Sequence, residues 1–185
     1  TEAKTAFEAS IAKKNNLAVA YYQLALVESR LKMYDEAIKS TENAMRFDKQ
    51  NVNYRYNLGV LYQVRDGEGD LDRSERVFKE ILADNDKLVD VRLSLGLLYE
   101  KKNQPDQALE AYRKLLDILP SDGEGNVQKT REQIQKLINN VQSGAGNINQ
   151  PAPSAPEPEP VIAPQPVAPD TETTPVAPPA TTPAQ

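Results

Sequence analysis

Apolar residues return along most of this chain at steps of three and four. Leu93, Leu95, Leu97 and Leu98 are one such stretch, followed after a polar turn by Ala108, Leu109, Tyr112, Leu115 and Leu116. That spacing keeps one face of a helix apolar, so each stretch predicts an amphipathic helix, and the pair predicts a helical hairpin. The hairpin recurs. Leu24-Ala25, Leu58-Gly59 and Leu95-Gly96 fall in register, 34 and then 37 residues apart. A small residue follows twelve positions later, at Ala37 after Ala25 and at Ala108 after Gly96, and seven further on stand Ala44 and Leu115. In the middle unit the matching residue, Ser74, comes fifteen positions after Gly59, a three-residue insertion. A hairpin of this size cannot bury its apolar face alone, so the period predicts an all-α stack in which neighbours cover one another.

The polar positions agree with these helices. Asp35, Asp72 and Asp106 share one position in the first turn of each second helix, where a carboxylate meets unpaired N–H groups and the positive end of the dipole. Pro105 opens a helix, where its missing N–H costs nothing, and Pro120 follows one, where it prevents continuation. The units then read as residues 17–50, 51–87 (with the insertion) and 88–121. Ala3, Phe7 and Ser10 lie 34 residues before Ala37, Thr41 and Ala44, so residues 1–16 read as the second helix of a truncated repeat. That reading expects further protein ahead of Thr1. Residues 126–142 carry Val127, Ile134, Leu137, Ile138 and Val141 on one face and polar groups on the other, the pattern of a helix that caps a stack.

Composition changes after that helix. Twelve of the 14 prolines fall between Pro151 and Pro183, and residues 143–185 are too poor in large apolar groups to offset the entropy of ordering. They are expected to be a disordered, polyproline-like tail. The tail holds Glu157, Glu159, Asp170 and Glu172 and no Lys or Arg, so removing its four charges from the net −5 leaves −1 upstream. With no basic stripe, the chain is not expected to bind nucleic acid. No apolar run reaches bilayer length, so direct membrane insertion by this segment is not expected.

Cysteine and histidine are both absent, which removes thiolate chemistry, the commonest transition-metal ligands and the commonest general base. Neither a cofactor nor a catalytic site is expected. The loop Asp66–Asp72 places acids at every second position, yet Leu71 and Val77 stand where a calcium loop needs Gly and Glu. It reads as a solvated acidic turn, not a metal site.

The repeated residues resemble the tetratricopeptide repeat (TPR) family, whose pattern is Leu-Gly, Tyr, Ala, an aromatic, Ala and a closing Pro. The third unit carries Leu95, Gly96, Tyr99, Ala108, Tyr112 and Pro120; the second carries Leu58, Gly59, Tyr62 and Phe78; the first carries Tyr21, Leu24, Ala25, Ala37 and Ala44, with Glu28 where Tyr is usual. The resemblance implies a superhelix of antiparallel helix pairs whose first helices line a concave groove. The groove positions are then Val19, Tyr22, Gln23, Leu26 and Arg30; Asn53, Tyr56, Asn57, Val60 and Gln63; and Asp90, Ser94, Leu97, Glu100 and Lys101. Of the basic and amide positions with which some members grip a C-terminal carboxylate, only Asn57 matches, while Tyr22, Leu26, Asp90 and Ser94 fill the others.

The expected function is therefore a protein-interaction scaffold that holds a peptide or partner helix in this groove, and not an enzyme. The alternative is a soluble C-terminal appendage of a larger bacterial membrane enzyme or envelope assembly factor, of polysaccharide polymerase or ligase type. The proline-rich tail resembles bacterial envelope linkers. It points to the cell envelope, outside the cytoplasm or attached to the membrane through protein ahead of Thr1. The edge of the truncated repeat is a candidate surface for self-association.

Overall fold

The structure is a computed structural model in which residues 2–13, 17–121 and 125–144 are described. The chain divides into two units, residues 1–153 and 154–185, and the description concerns the first. The expected tail lies outside the described residues, apart from Ser143 and Gly144. Eight helices make up the described part: α1 (Glu2–Ala12), α2 (Leu17–Arg30), α3 (Tyr34–Phe47), α4 (Val52–Arg65), α5 (Asp70–Asp84), α6 (Val89–Lys101), α7 (Pro105–Ile118) and α8 (Asn126–Gln142). Each packs on the next, and α4 also touches α6. This is the superhelical stack of helix pairs that the period predicts, closed by α8.

The first helix of each pair ends in the same way. Lys32, Asp66 and Asn103 occupy one register position and all have positive φ, between 55° and 60°. A left-handed residue after the last turn folds the chain back and lets following N–H groups reach free carbonyls. Met33 N–H donates to Glu28 O at 2.9 Å, and Gln104 N–H to Tyr99 O at 2.8 Å. The middle unit closes differently, with Asp66 N–H on Tyr62 O, because its insertion adds Gly67–Gly69 before α5 begins.

Within a pair, size is matched across the crossing. Phe78 and Tyr112, both fully buried, lie against Gly59 and Gly96, where a Cβ would fall 2.4 and 2.3 Å from the ring. In the first unit the register of these rings holds the smaller Thr41, and the register of the glycines holds Ala25, both 0% exposed. Helix axes can approach closely only where one side gives up its side chain. The other second-helix positions are equally closed: Ala37 and Ala44 in α3, Ser74 and Ile81 in α5, and Ala108 and Leu115 in α7 are all 0% exposed.

Between pairs, charge supplements packing. Arg65 Nη1 at the end of α4 reaches back to Asp35 in the first turn of α3 at 2.7 Å. One unit later, Lys102 Nζ reaches back to Asp72 in α5, also at 2.7 Å. At the far end, Ile134 and Ile138 bury the inner face of α8, and Arg131 Nη1 donates to Leu116 O and Leu119 O at 2.9 Å each. That guanidinium satisfies carbonyls at the C-terminus of α7.

In the expected solvated acidic turn, Asp66, Glu68 and Asp72 are exposed, and Asp70 alone corrects the expectation. Asp70 is 0% exposed, with Arg65 Nε at 2.7 Å, Arg65 Nη2 at 2.6 Å, Arg73 Nη1 at 2.8 Å and Gly67 N–H at 2.9 Å. These donors, Arg65 first, hold its carboxyl below the usual range, down to about 2, against the opposing effect of burial. Alternation of acids along the loop hid this, because the tight turn at Gly67–Gly69 swings one of them inward.

Candidate functional site

The first helices α2, α4 and α6 carry the expected groove positions. Val19, Tyr22, Gln23 and Leu26 in α2 are half-buried, and Arg30 is exposed at its C-terminus. In α4, Asn53 is exposed, Tyr56, Asn57 and Val60 are half-buried, and Gln63 is buried. In α6, Asp90 is exposed, and Ser94, Leu97, Glu100 and Lys101 are half-buried. Helical spacing puts Tyr22 beside Leu26, Tyr56 beside Val60, and Ser94 beside Leu97 on one face of each helix.

Several of these residues meet across helices. Tyr56 Oη lies 2.9 Å from Ser94 Oγ, joining α4 to α6, while its ring sits 5.8 Å from Phe78. Lys101 Nζ donates to Gln63 O at 2.9 Å and pairs with Asp66 at 3.0 Å. Others turn inward. Asn57 donates to Thr41 Oγ1 at 2.9 Å, and Glu100 accepts a short hydrogen bond from Tyr112. These two hold second helices in place, which leaves Tyr22, Gln23, Leu26, Tyr56, Val60 and Leu97 as the neutral part of the surface.

Tyr54, which the spacing did not single out, completes an aromatic cluster. It is buried, and its ring centroid is 4.8 Å from that of Tyr22 on the preceding first helix. Burial raises the Tyr22 phenol above its ordinary value, and the neighbouring Tyr54 and Tyr56 add to this. Burial likewise raises Tyr54, helped by Asp48. It raises Tyr56 too, where the Ser94 hydrogen bond works in the opposite direction. All three phenols stay protonated in neutral solution, as donors and flat apolar surfaces. Among the described residues no three acidic side chains converge as a metal site would need.

Residues 18–51 and 89–122 each match the tetratricopeptide repeat family. The chain carries tetratricopeptide repeats. Interferon-induced protein with tetratricopeptide repeats 2 of Homo sapiens is 27% identical over 124 residues, which are 65% of this chain and 26% of that protein. Cell division cycle protein 27 homolog A of Arabidopsis thaliana is 28% identical over 126 residues, 68% of this chain and 16% of that protein. The chain thus spans a small share of either relative's length. Among solved structures, the Yersinia enterocolitica type III secretion translocator chaperone SycD aligns with a TM-score of 0.57 at 12% identity, covering 68% of this chain and 83% of that one. PcrH in complex with the chaperone binding region of PopD aligns with a TM-score of 0.56 at 11% identity, covering 68% and 90%. MamA aligns with a TM-score of 0.56 at 20% identity, covering 77% and 86%. These likenesses concern the fold.

One departure from the tetratricopeptide pattern now has a physical account. Glu28 stands where the repeats usually carry Tyr, and it is buried. Ser40 Oγ donates to it at 2.7 Å, and Lys4 Nζ of α1 lies 3.2 Å away. The third repeat uses the same register for Tyr99, whose hydroxyl reaches Glu75 of α5 at 3.3 Å. A carboxylate paired with a lysine has replaced a phenol paired with a carboxylate. The polar link between neighbouring pairs survives the exchange.

Proposed function

We propose that the chain is a protein-interaction scaffold whose concave face, made by α2, α4 and α6, holds a peptide or partner helix. The observation that carries this reading is the half-buried aromatic surface of Tyr22 and Tyr56, backed by buried Tyr54 and flanked by Leu26, Val60 and Leu97. Aromatic side chains with few rotamers give large contact area at low ordering cost, and they dominate interface energies. The amides of Gln23 and Asn53, beside these rings, can pair with a backbone that an extended ligand leaves open. A stack of this fold carrying a segment of another protein, as PcrH carries a region of PopD, supports the same reading.

The test is to select peptides against the full chain from a displayed library and to measure their affinity by calorimetry. Tyr22→Ala with Tyr56→Ala should weaken the best binder about thirtyfold, the effect of losing about 2 kcal/mol of aromatic contact. Leu26→Glu, which removes no ring from the stack, should weaken it comparably while circular dichroism stays unchanged. Binders unaffected by both changes would place the contact elsewhere.

A further inference from the structure

The concave face repeats one pair of groups on each first helix. Gln23, Asn57 and Ser94 share a register, and three residues after each stand Leu26, Val60 and Leu97. Residues three apart are neighbours on a helix surface, so α2, α4 and α6 each set a hydrogen-bonding side chain beside an apolar one. All six residues are half-buried. Two rows, one polar and one apolar, therefore run along the stack and across the helix axes.

The polar row has bonding capacity left over. Tyr56 Oη and Ser94 Oγ, 2.9 Å apart, bring two hydroxyl hydrogens, and the bond between them uses one. Ser94 does not donate to the carbonyl four residues back, as Thr41 does to Ala37 O at 2.8 Å and Thr130 to Asn126 O at 2.9 Å. Asn57 gives one amide hydrogen to Thr41 and keeps the other, together with its carbonyl oxygen. The Gln23 amide has no partner among the described residues. A ligand that covers such groups must bond them or leave them stranded.

That requirement separates two kinds of ligand. In the interior of a helix every carbonyl and N–H is already bonded within the helix, and its surface offers side chains only. An extended backbone keeps both groups open at every residue. It advances about 3.1–3.4 Å per residue, and packed helices lie about 8–10 Å apart, so about three of its residues lead from one first helix to the next. Each such step brings a carbonyl to the polar row and a side chain to the apolar row.

We propose that the concave face selects an extended partner peptide over a partner helix, and that Ser94, joined to Tyr56, makes the choice. The pair donates its remaining hydrogen to a ligand carbonyl between α4 and α6. The selection rests on the concave face being the binding surface, and it adds the backbone conformation of what binds there.

The probe is the tightest peptide from the library selection against the full chain. Proline inside a bound helix should weaken binding about a hundredfold wherever it falls. In an extended ligand at least one interior position should accept proline within about threefold. Ser94→Ala should weaken the peptide about fivefold to tenfold, and Ser94→Thr, which keeps the hydroxyl, should recover most of that loss. Backbone amides replaced one at a time by esters, whose carbonyls are weaker acceptors, should reveal the bonded position. There the ester should cost the parent chain about fivefold and Ser94→Ala almost nothing. Loss of binding at every interior proline would overturn the extended ligand. Undiminished binding to Ser94→Ala, in a peptide that Tyr22→Ala with Tyr56→Ala still weakens, would overturn the role of Ser94 and leave the concave face standing. A peptide indifferent to all three changes would remove the concave face itself, and the selection with it.

Discussion

Gly96 lies where α6 crosses α7, and a methyl group built on its Cα would fall 2.3 Å from Tyr112 Cε1, 2.8 Å from Cδ1 and 2.9 Å from Cζ. Gly96→Ala therefore sets two effects against each other. Alanine in a helix interior is favoured over glycine by about 1 kcal/mol. Overpacking a closed core costs about 1–3 kcal/mol. Which wins depends on whether the ring can move. Tyr112 is 0% exposed, and its hydroxyl is tied to Glu100 on the same helix as Gly96, so the ring cannot swing away without breaking that bond. The steric cost prevails, and the expected result is net destabilisation of up to about 2 kcal/mol. Urea denaturation followed by far-UV circular dichroism measures it, with a melting point lower by up to roughly 8 °C as a second readout. A double-mutant cycle isolates the cause. With Tyr112→Leu already present the ring is gone, and adding Gly96→Ala should become neutral or stabilising by up to about 1 kcal/mol. Gly96→Ala that is as stable as the parent chain, or equally damaging in both backgrounds, would refute the ring-on-glycine argument.

Two further outcomes follow from the buried carboxylates. Asp70 is held down to about 2 against an ordinary 3.8, so its contribution is full above 3.8 and is lost as pH falls toward about 2. Asp70→Asn should cost about 2 kcal/mol in neutral solution, and its stability gap from the parent chain should close across that window in denaturation curves taken at stepped pH. Glu28→Ala strands Lys4 and Ser40, and because Lys4 is a quarter exposed the cost should be about 1–3 kcal/mol, below that of a fully buried pair. Hydrogen exchange should show α1 losing protection while α6 and α7 keep theirs; uniform loss would mean that Glu28 acts on the whole stack.

The helices were legible in the sequence because burial of one face imposes a spacing that any window of a dozen residues reveals. The identity of the repeat was legible for a related reason: a close crossing demands a small residue, and Gly59 and Gly96 recur at the same place relative to their leucines. The candidate groove was legible only as a set of positions. The resemblance to tetratricopeptide repeats assigns Tyr56 and Asn57 to the groove side of α4. It does not say that Tyr56 will reach Ser94, 38 residues away, or that Asn57 will turn to Thr41 on a second helix. Tyr54 was missed because its partner, Tyr22, lies on another repeat, and such pairs leave no local period.

What the chain of residues decides without help is where helices begin and end, which side of each is apolar, and which crossings are close, since these follow from backbone chemistry and side-chain size within one turn or one hairpin. Which charges meet is decided only in three dimensions. Asp70 is one acid among several in its loop until the turn carries it under Arg65 and Arg73, and Glu28 is an odd substitution until α1 brings Lys4 alongside. Coulombic and hydrogen-bonded partners are selected by proximity through space, and the stacking of one pair on the next is what sets that proximity.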